Sequence, residues 1–131
     1  MNLTSLRIIT ADIKRLVQFL ELITGLTATW YTEDFSEIVT STSTLAIGST
    51  RTMALFGGEI AQPASNKSVI IEFRVEDVDT EYERIKDLIS DVVQKPTTMP
   101  WGNRSLLFRD PDGNLINFFT PVTPEAIKKF S

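Results

Sequence analysis

The chain has 131 residues, seventeen acidic against thirteen basic side chains, and neither cysteine nor histidine. Disulfides, thiolate chemistry, Ser-His-Asp catalysis and ordinary zinc, copper or non-haem iron sites are thereby excluded. A net charge of −4 without a basic stripe argues against a nucleic-acid partner, and no apolar run approaches the roughly 20 residues of a membrane span. The first residues, Met-Asn-Leu-Thr-Ser-Leu-Arg, lack the layout of a signal peptide, so a cytoplasmic setting is expected.

Leu6-Arg7-Ile8-Ile9-Thr10 alternates as a half-buried strand does. Asp12 is a natural N-cap for a helix whose apolar face is Ile13, Leu16, Val17, Leu20 and Ile23, closed by Gly25. Short strands are expected at 28–32, 35–40, 44–47 and 52–56, the threonines between 40 and 52 favouring extended backbone. Gly57, Gly58 and Pro63 mark a linker at 58–66. The pattern then returns with an offset of about 65 residues, a sign of duplication. Ile71, Phe73 and Val75 alternate, Asp77 caps, and Val78, Tyr82, Ile85, Leu88 and Ile89 form a helical face. Strands follow at 92–97, 105–109 and 114–120, the last two joined by Asp110-Pro111-Asp112-Gly113. In that turn proline presets φ and glycine takes a positive φ, so its aspartates read as turn formers more readily than as ligands of a hard cation. Thr123-Pro124 starts a short helix carrying Ile127 and Phe130. The expected class is α+β, one domain of two tandem βαβββ modules: 1–57, a linker at 58–66, 67–121, and a closing helix at 122–131.

Four stretches carry a resemblance. Trp101-Gly102-Asn103-Arg104-Ser105 precedes the last hairpin, and Glu72-Phe73-Arg74-Val75-Glu76-Asp77-Val78-Asp79 precedes the second helix. Asp12-Ile13 and Leu22-Ile23-Thr24-Gly25-Leu26 bound the first helix. With the Asp-Pro-Asp-Gly hairpin, they resemble the vicinal oxygen chelate superfamily of glyoxalases, bleomycin-resistance proteins and ring-cleaving dioxygenases. The resemblance spans nearly the whole chain and implies curled mixed sheets around a cleft. In metal-using relatives the first and last strands of each module supply the ligands, often a His seven residues before the capping Asp and a Glu four residues after the turn glycine. Here those positions hold Ser5, its repeat-equivalent Ile70, and Asn117, with Ala54 or a neighbour, Met53 or Leu55, expected as the fourth. Of Ser5, Ala54, Ile70 and Asn117, none is a good transition-metal ligand.

The resemblance therefore implies a metal-independent small-molecule binder of the bleomycin-resistance type, with no cofactor, acting as a homodimer. The alternatives are a divalent-metal lyase, isomerase or dioxygenase with an atypical ligand set from Glu72, Asn117, Ser5 and Glu37, or a degenerate interaction module. Strand alternation places Ser5, Arg7 and Ile9, then Ile70, Glu72 and Arg74, then Leu115, Asn117 and Phe119 on faces turned from the helices. Arg7 and Glu72 are repeat-equivalent and read first as an ion pair, otherwise as polar anchors in an apolar pocket. Trp30, Tyr31, Phe56 and Trp101 offer stacking surfaces for a planar ligand. Glu33, Asp34, Glu37 and Glu59 would favour a cationic one, although such clusters are most often solvated faces. The candidate ligand-binding set is thus Arg7, Glu72, Asn117, Trp101, Ser5, Trp30, Arg74 and Phe56, with no catalytic and no metal-ligating residue.

Overall fold

A computed structural model describes residues 1–58 and 60–131 and divides the chain into two compact units, Met1–Asn66 and Lys67–Ser131. The first unit comprises β1 (Ser5–Thr10), α1 (Ile13–Thr24), β2 (Thr29–Thr32), β3 (Phe35–Val39) and β4 (Thr44–Ser49). They form a mixed sheet of order β1-β4-β3-β2 in which β1 runs parallel to β4. Asp12 Oδ1 accepts the Arg15 N–H at 3.2 Å, and Gly25 ends the helix at φ 71°, its N–H bonding the Glu21 carbonyl. The apolar face read from the spacing, Ile13, Leu16, Val17, Leu20 and Ile23, is buried throughout. It packs on β3 and β4, where Ile38 and Ile47 are fully enclosed. Each such side chain contributes roughly 1.5–3 kcal/mol of transfer free energy, which is what holds helix to sheet.

The strand expected at 52–56 does not form. Thr50–Phe56 is a 3-10 helix, capped by Ser49, whose hydroxyl accepts the Arg51 N–H, and closed by Gly57 at φ 92°. Thr52 Oγ1 donates to the Ser49 carbonyl at 2.7 Å, so a residue with strand propensity uses its hydroxyl to hold a tight turn. β4 is therefore the last strand of this unit, and Ala54 lies outside the sheet.

The second unit repeats the topology with β5 (Ile70–Arg74), α2 (Val78–Ile85), β6 (Val92–Thr98), β7 (Asn103–Arg109), β8 (Leu115–Pro121) and α3 (Pro124–Lys129). Its order is β5-β8-β7-β6, with β5 parallel to β8. Under α2 lie Leu106, Phe108, Ile116 and Phe118, and Phe118 meets Phe108 edge-on at 5.2 Å and Phe73 at 5.7 Å. The helix ends four residues earlier than its apolar pattern suggested. Leu88 is consequently exposed, while Ile89 turns inward.

The Asp110 turn closes on itself. Asp110 Oδ1 accepts the N–H groups of Asp112 and Asn114, each at 2.9 Å, and Oδ2 accepts from Asn114 Nδ2 at 2.7 Å. Burial pushes this carboxyl above its usual range, against the lowering effect of those bonds. At the far end of the hairpin, Gly102 has φ 96°, and its carbonyl accepts from Val122 and Thr123. A Cβ there would stand 2.0 Å from Thr123 Oγ1, the cap of α3. Arg104, on β7, forks onto Asp79 at the start of α2, with Nε–Oδ2 2.8 Å and Nη2–Oδ1 3.0 Å.

Two outcomes follow from these contacts. Gly102→Ala should lose about 2 kcal/mol or more in chemical denaturation, from overlap with Thr123 and an unfavourable φ; a loss under about 0.5 kcal/mol would contradict the account. The Arg104 guanidinium holds the Asp79 carboxyl below its ordinary value. The stability this gives is present above the ordinary carboxylate range and is lost as pH falls through the depressed one. Arg104→Met should move the Asp79 midpoint, read by carboxyl-carbon NMR, up toward the ordinary carboxylate range. Because the side chains are 33% and 56% exposed, solvent screens the pair and the accompanying loss at neutral pH should be small.

Candidate functional site

In each unit the helix covers one face of the sheet, and the face turned from that helix, called the open face below, carries most of the candidate residues. The parallel register of β1 and β4 pairs Leu6 with Leu45 and Ile8 with Ile47, directing these toward α1. Arg7 pairs with Ala46, and Ala46 with Glu37, so these three form a row across the open face. The Arg7 guanidinium lies over two rings, 5.2 Å from the Phe35 centroid and 5.8 Å from that of Phe56. Tyr31 packs at a tilt against Phe35, ring centroids 5.9 Å apart, and the nearby Glu37 carboxylate raises the phenol's pKa.

Arg7 and Phe56 are thus brought together, and Phe35 joins them. The sequence reading missed Phe35, although its alternation with Glu37 carries the signal. Ser5 opens β1, exposed and paired with Thr44. Trp30 does not join this group. Its register partner is the buried Ser36, which points opposite to Phe35 and Glu37, and Trp30 instead lines a recess of about 350 Å³ with Lys14 of α1. The expected acidic cluster is also dispersed. Asp34 accepts from Arg51 Nε at 2.7 Å and from Ser49 Oγ at 2.7 Å, and the Arg51 bond lowers its pKa. Glu59 lies outside the described residues.

In the second unit the open-face row runs Glu72, Asn117, Leu107 and Gln94 across four strands. Asn117 Nδ2 donates to Glu72 Oε2 at 2.8 Å. Asn117 is only 8% exposed, and its Oδ1 is buried without a partner. Each member of the Arg7/Glu72 pair considered from the sequence therefore has a contact within its own unit. Arg74, on the same face as Glu72, donates from Nη1 to the Phe130 carbonyl at 2.5 Å and covers the Phe130 ring at 5.8 Å. Phe130 in turn stacks on Phe119 at 5.2 Å. Arg74 fastens the end of α3 to the sheet, a contact across 56 residues of sequence that no local pattern announces. Trp101 stands on the turn between β6 and β7 and is 65% exposed.

The register corrects the family-equivalent positions. Arg7 and Glu72 are repeat equivalents, so the partner of Arg7, Ala46, corresponds to Asn117, and Ala54 does not. The donor set is then Ser5 and Ala46 in one unit, Ile70 and Asn117 in the other. Ala46 and Ile70 carry no lone pair, and the Asn117 amide directs its NH2 at a carboxylate. These side chains do not fit a divalent transition metal. Among the described residues, no group of three or more His, Cys, Asp or Glu gathers elsewhere.

A model of the Glyoxalase/Bleomycin resistance protein/Dioxygenase superfamily matches residues 2–118. The uncharacterized protein YraH of Bacillus subtilis (strain 168) is 28% identical over 125 residues, 91% of this chain and 98% of that one. Similar folds include a glyoxalase/bleomycin resistance protein/dioxygenase family enzyme from Burkholderia phytofirmans PsJN, with TM-score 0.81, 15% identity and coverage of 91% and 98% of the two chains. A glyoxalase/bleomycin resistance protein/dioxygenase from Nocardioides has TM-score 0.77 and 21% identity, with 95% and 85% covered. Among the described residues, no helix is long and apolar enough to cross a membrane. With the duplicated topology and a match over most of its length, the chain belongs to the glyoxalase/bleomycin resistance protein/dioxygenase superfamily.

Proposed function

We propose that this protein binds a small molecule without a metal, sequestering it on the open sheet faces and breaking no bond. The observation that carries the reading is the Asn117–Glu72 hydrogen bond. At the position where metal-using relatives place a ligand, an amide NH2 is turned to a neighbouring carboxylate, and Ser5, Ala46 and Ile70 complete a set whose side chains are poor ligands for a transition metal. What remains suits ligand binding: apolar side chains with a few oriented polar groups. Arg7 over Phe35 and Phe56 supplies a cationic, aromatic platform in the first unit. Glu72 and Asn117 supply acceptors in the second. Ser5 and Trp101 remain candidate contributors at the strand start and the β6–β7 turn. In this reading the protein works in the cytoplasm as a homodimer, a second copy completing each cleft.

Metal analysis after purification from cells supplemented with nickel, zinc, manganese and iron should find well under one divalent ion per chain. A stoichiometric ion that also raises Tm would establish the metal-dependent enzyme instead. A thermal-shift panel of planar antibiotics and small metabolites should yield at least one stabilising ligand. At about 100-fold excess over Kd, the native state gains roughly 2.7 kcal/mol, several degrees in Tm for a chain this size. A panel without any shift would favour a protein–protein interaction module.

A further inference from the structure

We infer that the Glu72–Asn117 pair recognises a ligand bearing several N–H donors on a cationic group, a primary ammonium or an amidinium. This rests on the small-molecule reading and names the ligand class for the second unit. A carboxylate can only accept, so the Asn117–Glu72 contact fixes the amide with Nδ2 toward Glu72 and Oδ1 away from it. That Oδ1 is buried and unpartnered on a side chain more than nine-tenths enclosed. An acceptor in this state is held at a cost that an incoming donor removes. Glu72 and Asn117 sit side by side on paired strands, so a carboxylate and an amide oxygen are offered together. The row they belong to ends at Gln94, whose Oε1 is likewise buried without a partner.

The pair offers acceptors and negative charge, and the arginines of this face are engaged elsewhere. Arg74 holds the Phe130 carbonyl, and Arg109 donates to the Gly113 carbonyl at 3.0 Å. An anionic group would therefore meet the Glu72 carboxylate with no free counter-charge. A quaternary ammonium would satisfy the charge and leave Oδ1 unpaired. Ile70, Leu107 and Leu115 share the face and provide an apolar bed for the body of the ligand.

The test is an NMR titration of the full-length protein with four benzyl-sized probes: benzamidinium, benzyltrimethylammonium, benzyl alcohol and benzoate. Benzamidinium should shift the Asn117 side-chain amide and the β5 and β8 backbone signals. It should bind at least about tenfold tighter than benzyltrimethylammonium, which has equal charge and no N–H, as expected for charge-assisted hydrogen bonds. Glu72→Gln should weaken benzamidinium about tenfold, and Asn117→Leu should abolish its advantage over the quaternary cation. Asn117→Ala guards against misfolding of the leucine variant: it removes Oδ1 without adding bulk or charge beside Glu72 and should abolish the same advantage. Equal affinity for the two cations, or preference for benzoate or benzyl alcohol, would overturn the inference and leave the small-molecule reading standing. If no probe perturbs either open face, the inference falls, and that reading falls as well only if the wider ligand panel is also silent.

Discussion

The parallel pairing of the first strand with the last in each unit is the constraint on which everything else depends. Parallel neighbours cannot be joined by a tight turn, so the chain between them must leave the sheet, and in each unit it does so through a helix. That helix takes one face as its core and leaves the other open. The register of the same pairing then decides which side chains stand together on the open face: Arg7 with Ala46 in one unit, Glu72 with Asn117 in the other. Two copies of one topology carry opposite chemistry, a cation stacked on aromatic rings and a carboxylate bonded to an amide.

Asparagine at 117 has a plain physical consequence. A carboxylate at this position would face Glu72 directly across a strand pair, and like charges in that relation destabilise a sheet unless an ion lies between them. The amide relieves the conflict by donating at 2.8 Å, so the pair carries no like-charge repulsion for a cation to offset. The altered charge balance explains how the superfamily scaffold can persist here with a donor set unsuited to a transition metal. It also leaves an amide oxygen facing away from Glu72 without a partner.

Much of the fold was legible because its signals are local. The 3.6-residue spacing from Ile13 to Ile23, the capping aspartates Asp12 and Asp77, and the Asp-Pro-Asp-Gly turn each report on structure within a few residues. What escaped needed register or distance. Residues 52–56 have strand composition, yet the hydroxyls of Ser49 and Thr52 hold a 3-10 turn, and with that the fourth family-equivalent position moves from Ala54 to Ala46. Trp30 looked like a cleft aromatic until its pairing with Ser36 placed it on the helix side. The role of Arg74 depends on Phe130, which only tertiary folding brings near. Asn117 was visible as a departure from the family pattern, whereas its bond to Glu72 became visible only once β5 and β8 were paired.

The central claim is that the amide at the end of this row belongs to Glu72 and to no ion. It is tested most directly by following the Asn117 side-chain amide resonance while the full-length protein is titrated with Mn²⁺. The account predicts that the signal keeps its width and position through several equivalents of the paramagnetic ion, and shifts when Glu72 is replaced by alanine. Selective broadening of that resonance, saturating at one ion per site, would contradict it.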